Sequence, residues 1–298
     1  MKSFRVKYKE EIQSYALLAF PIIWTAVFYV VPLVMAFFFS FTNLALMWNR
    51  INRFGFFQYR NVLTDDVFWR SLGVTGIWTA VMVVGNIFFG LMLALLISRM
   101  RRGAKFFLAL LIWPMLVSAV ANARITETMF GAYGNSPMNI LAKFFGAKEP
   151  VVWLMQESTA LISLMMWPFF FGFCFSLITF YTSLLAIPQS YKEACKLETN
   201  SFWAQIRLIL IPLIRNTFVL NLLLATISGM RVLGPMQLIT KGDYNTKSVI
   251  LYIYNLNFVD GFGSYKGKAS AAAFIVFAMI MVISIIQMKV SKKGDAYE

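Results

Sequence analysis

The chain has 298 residues, of which 59% are apolar or aromatic and only 13% charged, with a mean hydropathy of +0.69; a soluble domain carries about 45–50% apolar residues and about 25% charge, so this chain belongs in a bilayer. Its 27 Lys and Arg against 13 Asp and Glu give +14, but the basic residues sit between long uncharged runs and form no stripe for nucleic acid, so the anionic partner is phospholipid headgroup. Histidine is absent and Cys174 and Cys195 have no His or Cys cluster nearby, which excludes Ser-His and Cys-His nucleophiles, His-ligated zinc and CxxC redox chemistry.

About 20 residues at 1.5 Å each cross the hydrocarbon layer, so uncharged runs of that order mark spanning helices. Reading between charges gives six. The first lies within Ile12 to Asn49, centred on Tyr15 to Phe41, and the second within Ser71 to Ser98. The third lies within Phe106 to Ala123 and the fourth within Ser158 to Tyr191. The fifth covers Leu208 to Met230, with Arg215 close enough to one end to snorkel, and the sixth runs from Ala269 to Met288. The first run follows Lys2, Arg5, Lys7 and Lys9. It is too long for a signal-peptide core and leads into phenylalanines instead of a small-residue cleavage site, so it reads as an anchor.

Lys and Arg density sets the orientation. With the N-terminus inside, the inner segments carry 15 basic residues and the outer ones 12 over much longer loops. Arg99, Arg101, Arg102 and Lys105, all between spans two and three, decide for N-in and C-in. No linker, low-complexity block or repeat interrupts the chain, which reads as a single transmembrane domain over 1–298. The outer loops, with turn formers as in Gly131-Ala-Tyr-Gly-Asn-Ser-Pro137, are expected to be ordered caps. The expected class is thus an all-α polytopic membrane protein.

Ion-coupled carriers keep acidic side chains at membrane depth, whereas every Asp and Glu here falls outside the six spans. The nearest approach to a phosphate-cradling GxxxxGK[ST] loop is Gly263-Ser-Tyr-Lys-Gly267-Lys268-Ala-Ser, one residue short and on the outer side. The expectation is therefore no catalytic residue, no metal and no cofactor of its own, with energy supplied by another chain.

One inner loop, 182–212, is suited to receive it. Pro188 stops the preceding helix, and Ser190 with Glu193 fits a capping box. A short helix from Tyr191 puts Tyr191, Ala194 and Leu197 on one stripe. A turn at Thr199 and Asn200 precedes a second helix from Phe202 that enters span five at Pro212. The result is a two-helix hook attached to a membrane helix.

Glu193-Ala194-Cys195, Thr199 and Ile209-Leu-Ile-Pro212 closely resemble the EAA motif of ABC importer permeases, E-A-A-x3-G-x9-I-x-L-P, with every spacing matched. Cys195, Thr199 and Ile211 depart from it, and Thr199 stands where a positive φ would favour Gly, a position that Asn200 can take instead. The resemblance extends over nearly the whole chain, to the maltose-type carbohydrate-uptake permeases. It is carried also by Ser14-Tyr-Ala-Leu-Leu-Ala-Phe-Pro21, Phe39-Ser-Phe-Thr42, Phe57-Gln-Tyr-Arg-Asn61, Asp66-Val-Phe-Trp69, Leu141 and Trp153-Leu154, then Thr246-Lys-Ser-Val-Ile-Leu-Tyr-Ile-Tyr254 and Lys268-Ala-Ser-Ala271. Thr240-Lys-Gly-Asp243 replaces the family's Thr-x-Gly-Gly-Pro.

The resemblance implies a type I ABC importer permease fold in the bacterial plasma (inner) membrane. Two homologous permeases would form the pore, an ATPase dimer holding ATP and Mg would bind the hooks, and an external solute-binding protein would deliver a sugar. By carry-over the ATPase-coupling residues are Glu193, Ala194, Cys195, Leu197, Thr199 and Pro212, with Glu193 either docking on the ATPase, capping its own helix, or both. Distance from the motif places Pro168, Phe171, Gly172 and Phe175 on one pathway helix and Ala225, Ser228, Gly229 and Val232 on the other, with Trp167, Asn221 and Arg231 as further contacts. Phe171 and Phe175 stand one turn apart, as stacking platforms for a sugar ring should. Ala, Gly and Val stand where the family often has polar groups, so either the partner permease supplies most contacts or the pathway passes solute without holding it. Arg124 and Arg231 at the outer span ends fit either an acidic sugar or headgroup anchoring. The alternatives are a non-sugar solute, a glycerophosphodiester or polyamine, through the same hook, or a secondary carrier.

Overall fold

The computed structural model describes residues 15, 17–44, 51, 53–100, 102–191, 201–206, 210–259 and 265–293. Contacts gather into two compact units, Met1–Asp65 with Ile253–Val276, and Asp66–Tyr252 with Phe277–Glu298. Secondary structure among the described residues is helical apart from one isolated bridge.

In the first unit α1, Leu17–Phe39, matches the first expected span. Its π-helical stretch, Ala26–Val30, closes with Val31 donating to Ala26 and lies directly before Pro32. Proline has no N–H to give, and the ladder widens there. Thr42 then bridges Phe54, and α2, Phe57–Leu63, follows. The carbonyl of Thr42 accepts from Gln58 Nε2 at 3.1 Å. A Cβ on Gly267 would stand 2.1 Å from that carbonyl oxygen, so only glycine lets the last helix, Lys266–Lys293, start here. Ser40 Oγ and Tyr59 OH share a hydrogen bond of 2.8 Å.

In the second unit α3, Asp66–Ser98, is the central pillar, packed along α7, Ala160–Ala186, and α9, Arg215–Met230. Glycines allow the approach. A Cβ on Gly90 would lie 2.6 Å from Ser176 Cβ, and one on Gly229 would lie 3.0 Å from Thr79 Cα. Without water to expel, helices in lipid gain most from such close contact of small residues.

The third expected span is broken. α4, Ala104–Ile112, tightens to a 3-10 turn at Trp113–Leu116, and α5, Ala119–Met129, leaves at 93°. Val117 is extended, at φ −75° and ψ 131°, and Ser118 Oγ caps α5 by accepting from Ala121 N at 3.3 Å. Pro114 and this capping serine are stop signals inside an uncharged run. The fifth span is interrupted as well: Ile211–Leu213 forms a short turn, Ile214 leaves helical geometry, and α9 starts at Arg215. Beyond the expected spans the chain forms α6, Pro137–Phe144, then α8, Phe202–Gln205, and α10, Val249–Phe258. The last helix, α11, is Lys266–Lys293. Among the described residues three helices are long and apolar enough to cross a bilayer, Leu17–Phe39, Asp66–Ser98 and Lys266–Ser291, and the bent α4–α5 pair is a fourth if taken as one span.

The loop 130–159 is ordered, as its turn formers suggest, around Asn139. The buried Asn139 amide donates to the carbonyls of Gly131, Tyr133 and Val151, and its oxygen accepts from Val151 N and Trp153 Nε1. The substituted Thr240-Lys-Gly-Asp243 stretch folds as a turn with positive φ at Lys241 and Gly242, tied by a 2.6 Å bond between the Thr240 and Thr246 hydroxyls.

Candidate functional site

Glu193, Ala194, Cys195, Leu197 and Thr199 lie outside the described residues, and the hook is defined by its two roots. α7 ends at Ala186, and Ile187 is extended at φ −66° and ψ 123°, the conformation that a following proline imposes. Helical backbone resumes at Gln189, so Ser190 sits inside the first turn and does not have the non-helical geometry of an N-cap. On the return, Ile206 follows α8, and Pro212 is exposed within the Ile211–Leu213 turn. Ile187 on one root and Ile206 and Ile214 on the other are buried in a single apolar cluster. It also holds Leu184 and Phe180 of α7 and Ala94, Leu95 and Ile97 of α3. A cavity of about 360 Å³ opens between the roots, edged by Ser183, Pro188, Tyr191, Leu213 and Thr217, and Ser183 and Thr217 share a 2.6 Å hydroxyl bond across it.

The pathway residues separate into three groups. Pro168 and Gly172 line a cavity of about 270 Å³ together with Asn122, Thr126, Pro235 and Ile239. Asn221 and Gly229 are buried in helix packing: Asn221 Oδ1 accepts from Thr179 at 3.0 Å, its Nδ2 donates to the Thr217 carbonyl at 2.9 Å, and Gly229 faces Thr79. Phe175, Ser228 and Arg231 are exposed, while Ala225 is half-buried and Val232 buried. Trp167 and Phe171 belong to α7 by their backbone, and their side chains lie outside the described part. Asn122 and Thr126 were not singled out from the sequence. Their four-residue spacing, which puts them one turn apart on the same face of α5, is the one hint the sequence holds.

No family model matches the chain. Across 292 residues it is 27% identical to the multiple sugar-binding transport system permease protein MsmF of Streptococcus mutans, covering 95% of this chain and 96% of that one. It is 24% identical to the trehalose/maltose transport system permease protein MalF of Thermococcus litoralis, over 97% of this chain and 96% of the other. Its fold matches a chain of a bacterial ABC transporter that imports the acidic polysaccharide alginate, with a TM-score of 0.80, 19% identity and 96% of both chains covered. Over nearly its whole length the chain is thus similar to permease proteins of sugar ABC transporters, and it shares the fold of an ABC importer permease. The permease is accordingly a multi-pass protein of the bacterial plasma (inner) membrane. It is also 26% identical, over 98% of its length and 99% of the relative's, to the sn-glycerol-3-phosphate transport system permease protein UgpA of Rhizobium meliloti.

In the permease one further polar group stands beside the cavity. Asn86, in the apolar stretch of α3, places Oδ1 against Gly172, where an added Cβ would meet it at 2.5 Å. That oxygen is buried without a hydrogen-bond partner.

Proposed function

We propose that the permease is the pore-forming subunit of an ATP-driven, binding-protein-dependent importer of a carbohydrate, an oligosaccharide. It spans the membrane six times with both termini in the cytoplasm, and its 182–212 loop is the cytoplasmic hook on which an ATPase dimer acts. The ATPase holds ATP and Mg and performs the hydrolysis; a homologous second permease completes the pore, and an external solute-binding protein loads it. The observation that carries the reading is the burial of both hook roots in one cluster with the end of α3. A hook so rooted moves as one piece with the bundle, which is what transmission of force needs.

In this reading Glu193 is the docking acid, with Ala194, Cys195 and Leu197 filling the ATPase groove, Thr199 at the turn and Pro212 at the return into the bundle. Pro168 and Gly172, with Asn122 and Thr126, form the wall that the solute meets. Glu193→Ala is expected to leave the complex in the membrane and ATP hydrolysis measurable while uptake is lost; normal uptake by this variant would remove the assignment.

A second reading, import of a phosphorylated glycerol compound through the same hook, draws on the likeness to UgpA. Uptake of a labelled oligosaccharide, challenged in turn with neutral sugars, uronic acid oligosaccharides and glycerol phosphates, separates the readings. Competition by glycerol phosphates alone would replace the sugar, and equal competition by neutral sugars would exclude a requirement for an acidic one.

A further inference from the structure

At the end of α3, Arg99 Nη2 donates to Gln205 Oε1 at 3.1 Å, joining residues 106 apart. Gln205 is the last residue of α8, on the returning leg of the hook. The next residue, Ile206, is 5% exposed and buried in the cluster with Ala94, Leu95 and Ile97. The leg is thus fixed to α3 at two consecutive residues, one polar and one apolar.

These two contacts do different work. Apolar burial is non-directional and lets surfaces slide. A guanidinium bond to an amide oxygen is directional and charge-assisted, so it sets the register of the leg on α3. α3 has little freedom of its own, because Gly90 lies against Ser176 of α7 and Thr79 against Gly229 of α9. A displacement of the leg therefore reaches α3 directly, besides passing through Pro212 into α9.

We propose that Arg99 is a positioning residue for energy coupling, holding the returning leg in register on α3 so that hook motion drives α3 and α9 together. This rests on the reading of 182–212 as the ATPase-coupling hook. The test uses the whole complex in proteoliposomes and measures solute moved per ATP hydrolysed. Gln205→Leu and Arg99→Met should each lower that ratio about threefold to tenfold, the range of an ordinary intramolecular hydrogen bond, as fits one exposed to solvent. The double variant should fall no further than either single one. Gln205→Glu, which still accepts from the guanidinium, should keep the parental ratio.

Glu193→Ala is measured alongside. Coupling lost in Glu193→Ala but unchanged in Arg99→Met and Gln205→Leu overturns the role of Arg99 alone. Parental coupling in all of them overturns the hook reading, and the role of Arg99 with it. Should Arg99→Met lower the amount of complex, the two Gln205 variants decide: equal ratios for Gln205→Leu and Gln205→Glu overturn the proposal.

Discussion

Lys268 Nζ lies 2.6 Å from Asp65 Oδ2, with the two side chains 21% and 18% exposed, an ion pair between residues 203 apart. It fastens the start of α11 to the chain just after α2. Partial burial puts its loss between that of a surface pair and that of a buried one, about 1–3 kcal/mol, since removing one partner leaves the other charge poorly solvated. Asp65→Asn should lower the thermal midpoint of the purified complex, and adding Lys268→Gln should recover part of the loss. A midpoint unchanged in Asp65→Asn would mean the pair contributes nothing.

That contact explains why the scattered strings of the resemblance occur together. Phe39–Thr42, Phe57–Asn61 and Lys268–Ala271 are unremarkable in isolation, yet the Gln58–Thr42 and Ser40–Tyr59 hydrogen bonds and the Lys268–Asp65 pair tie them into one unit. The helical class and most span positions were legible because a charge at membrane depth is costly, so uncharged runs mark the bilayer. The bend at Val117 and the start of α9 at Arg215 escaped that scan, since proline and serine caps redirect a helix without adding charge. The Asn122–Thr126 wall depends on that bend, so its residues could not be assigned to the pathway before the bend was known.

Gly90 should tolerate substitution less than Gly85. An added Cβ at Gly85 meets the Phe169 ring, the movable end of a side chain, at 1.8 Å, whereas at Gly90 it meets Ser176 Cβ at 2.6 Å and Leu177 backbone N at 3.1 Å. Backbone cannot swing aside, and forced overpacking costs about 1–3 kcal/mol. Gly90→Ala is expected to reduce the heat stability of the complex, with Ser176→Gly restoring much of it. Stability unaffected by Gly90→Ala would show that α3 and α7 can separate there.

Asn122 and Asn221 should differ in kinetics. Asn221 uses both ends of its amide within the chain, towards Thr179 and Thr217, so Asn221→Leu should lower stability by about 1–2 kcal/mol, the range for interhelical polar contacts in membranes, at unchanged KM. Asn122 lines the cavity, and Asn122→Ala should raise KM for uptake at similar complex abundance. The reverse pattern would move the solute wall from α5 to α9.

Arg215 was expected to reach the interface by snorkelling, and it has a more definite partner. Its Nη2 donates to the Ser291 carbonyl in the C-terminal part of α11, where the helix dipole favours a cation. Arg215→Met removes both the bond and the charge, at about 1–2 kcal/mol. The local consequence is fraying of α11, read as faster Lys-C cleavage at Lys289, Lys292 and Lys293 in the folded complex. Arg215→Lys keeps the charge and a donor and should be intermediate. If Arg215→Met leaves cleavage as slow as in the parent, the contact does not hold the end of α11, and snorkelling alone accounts for the residue.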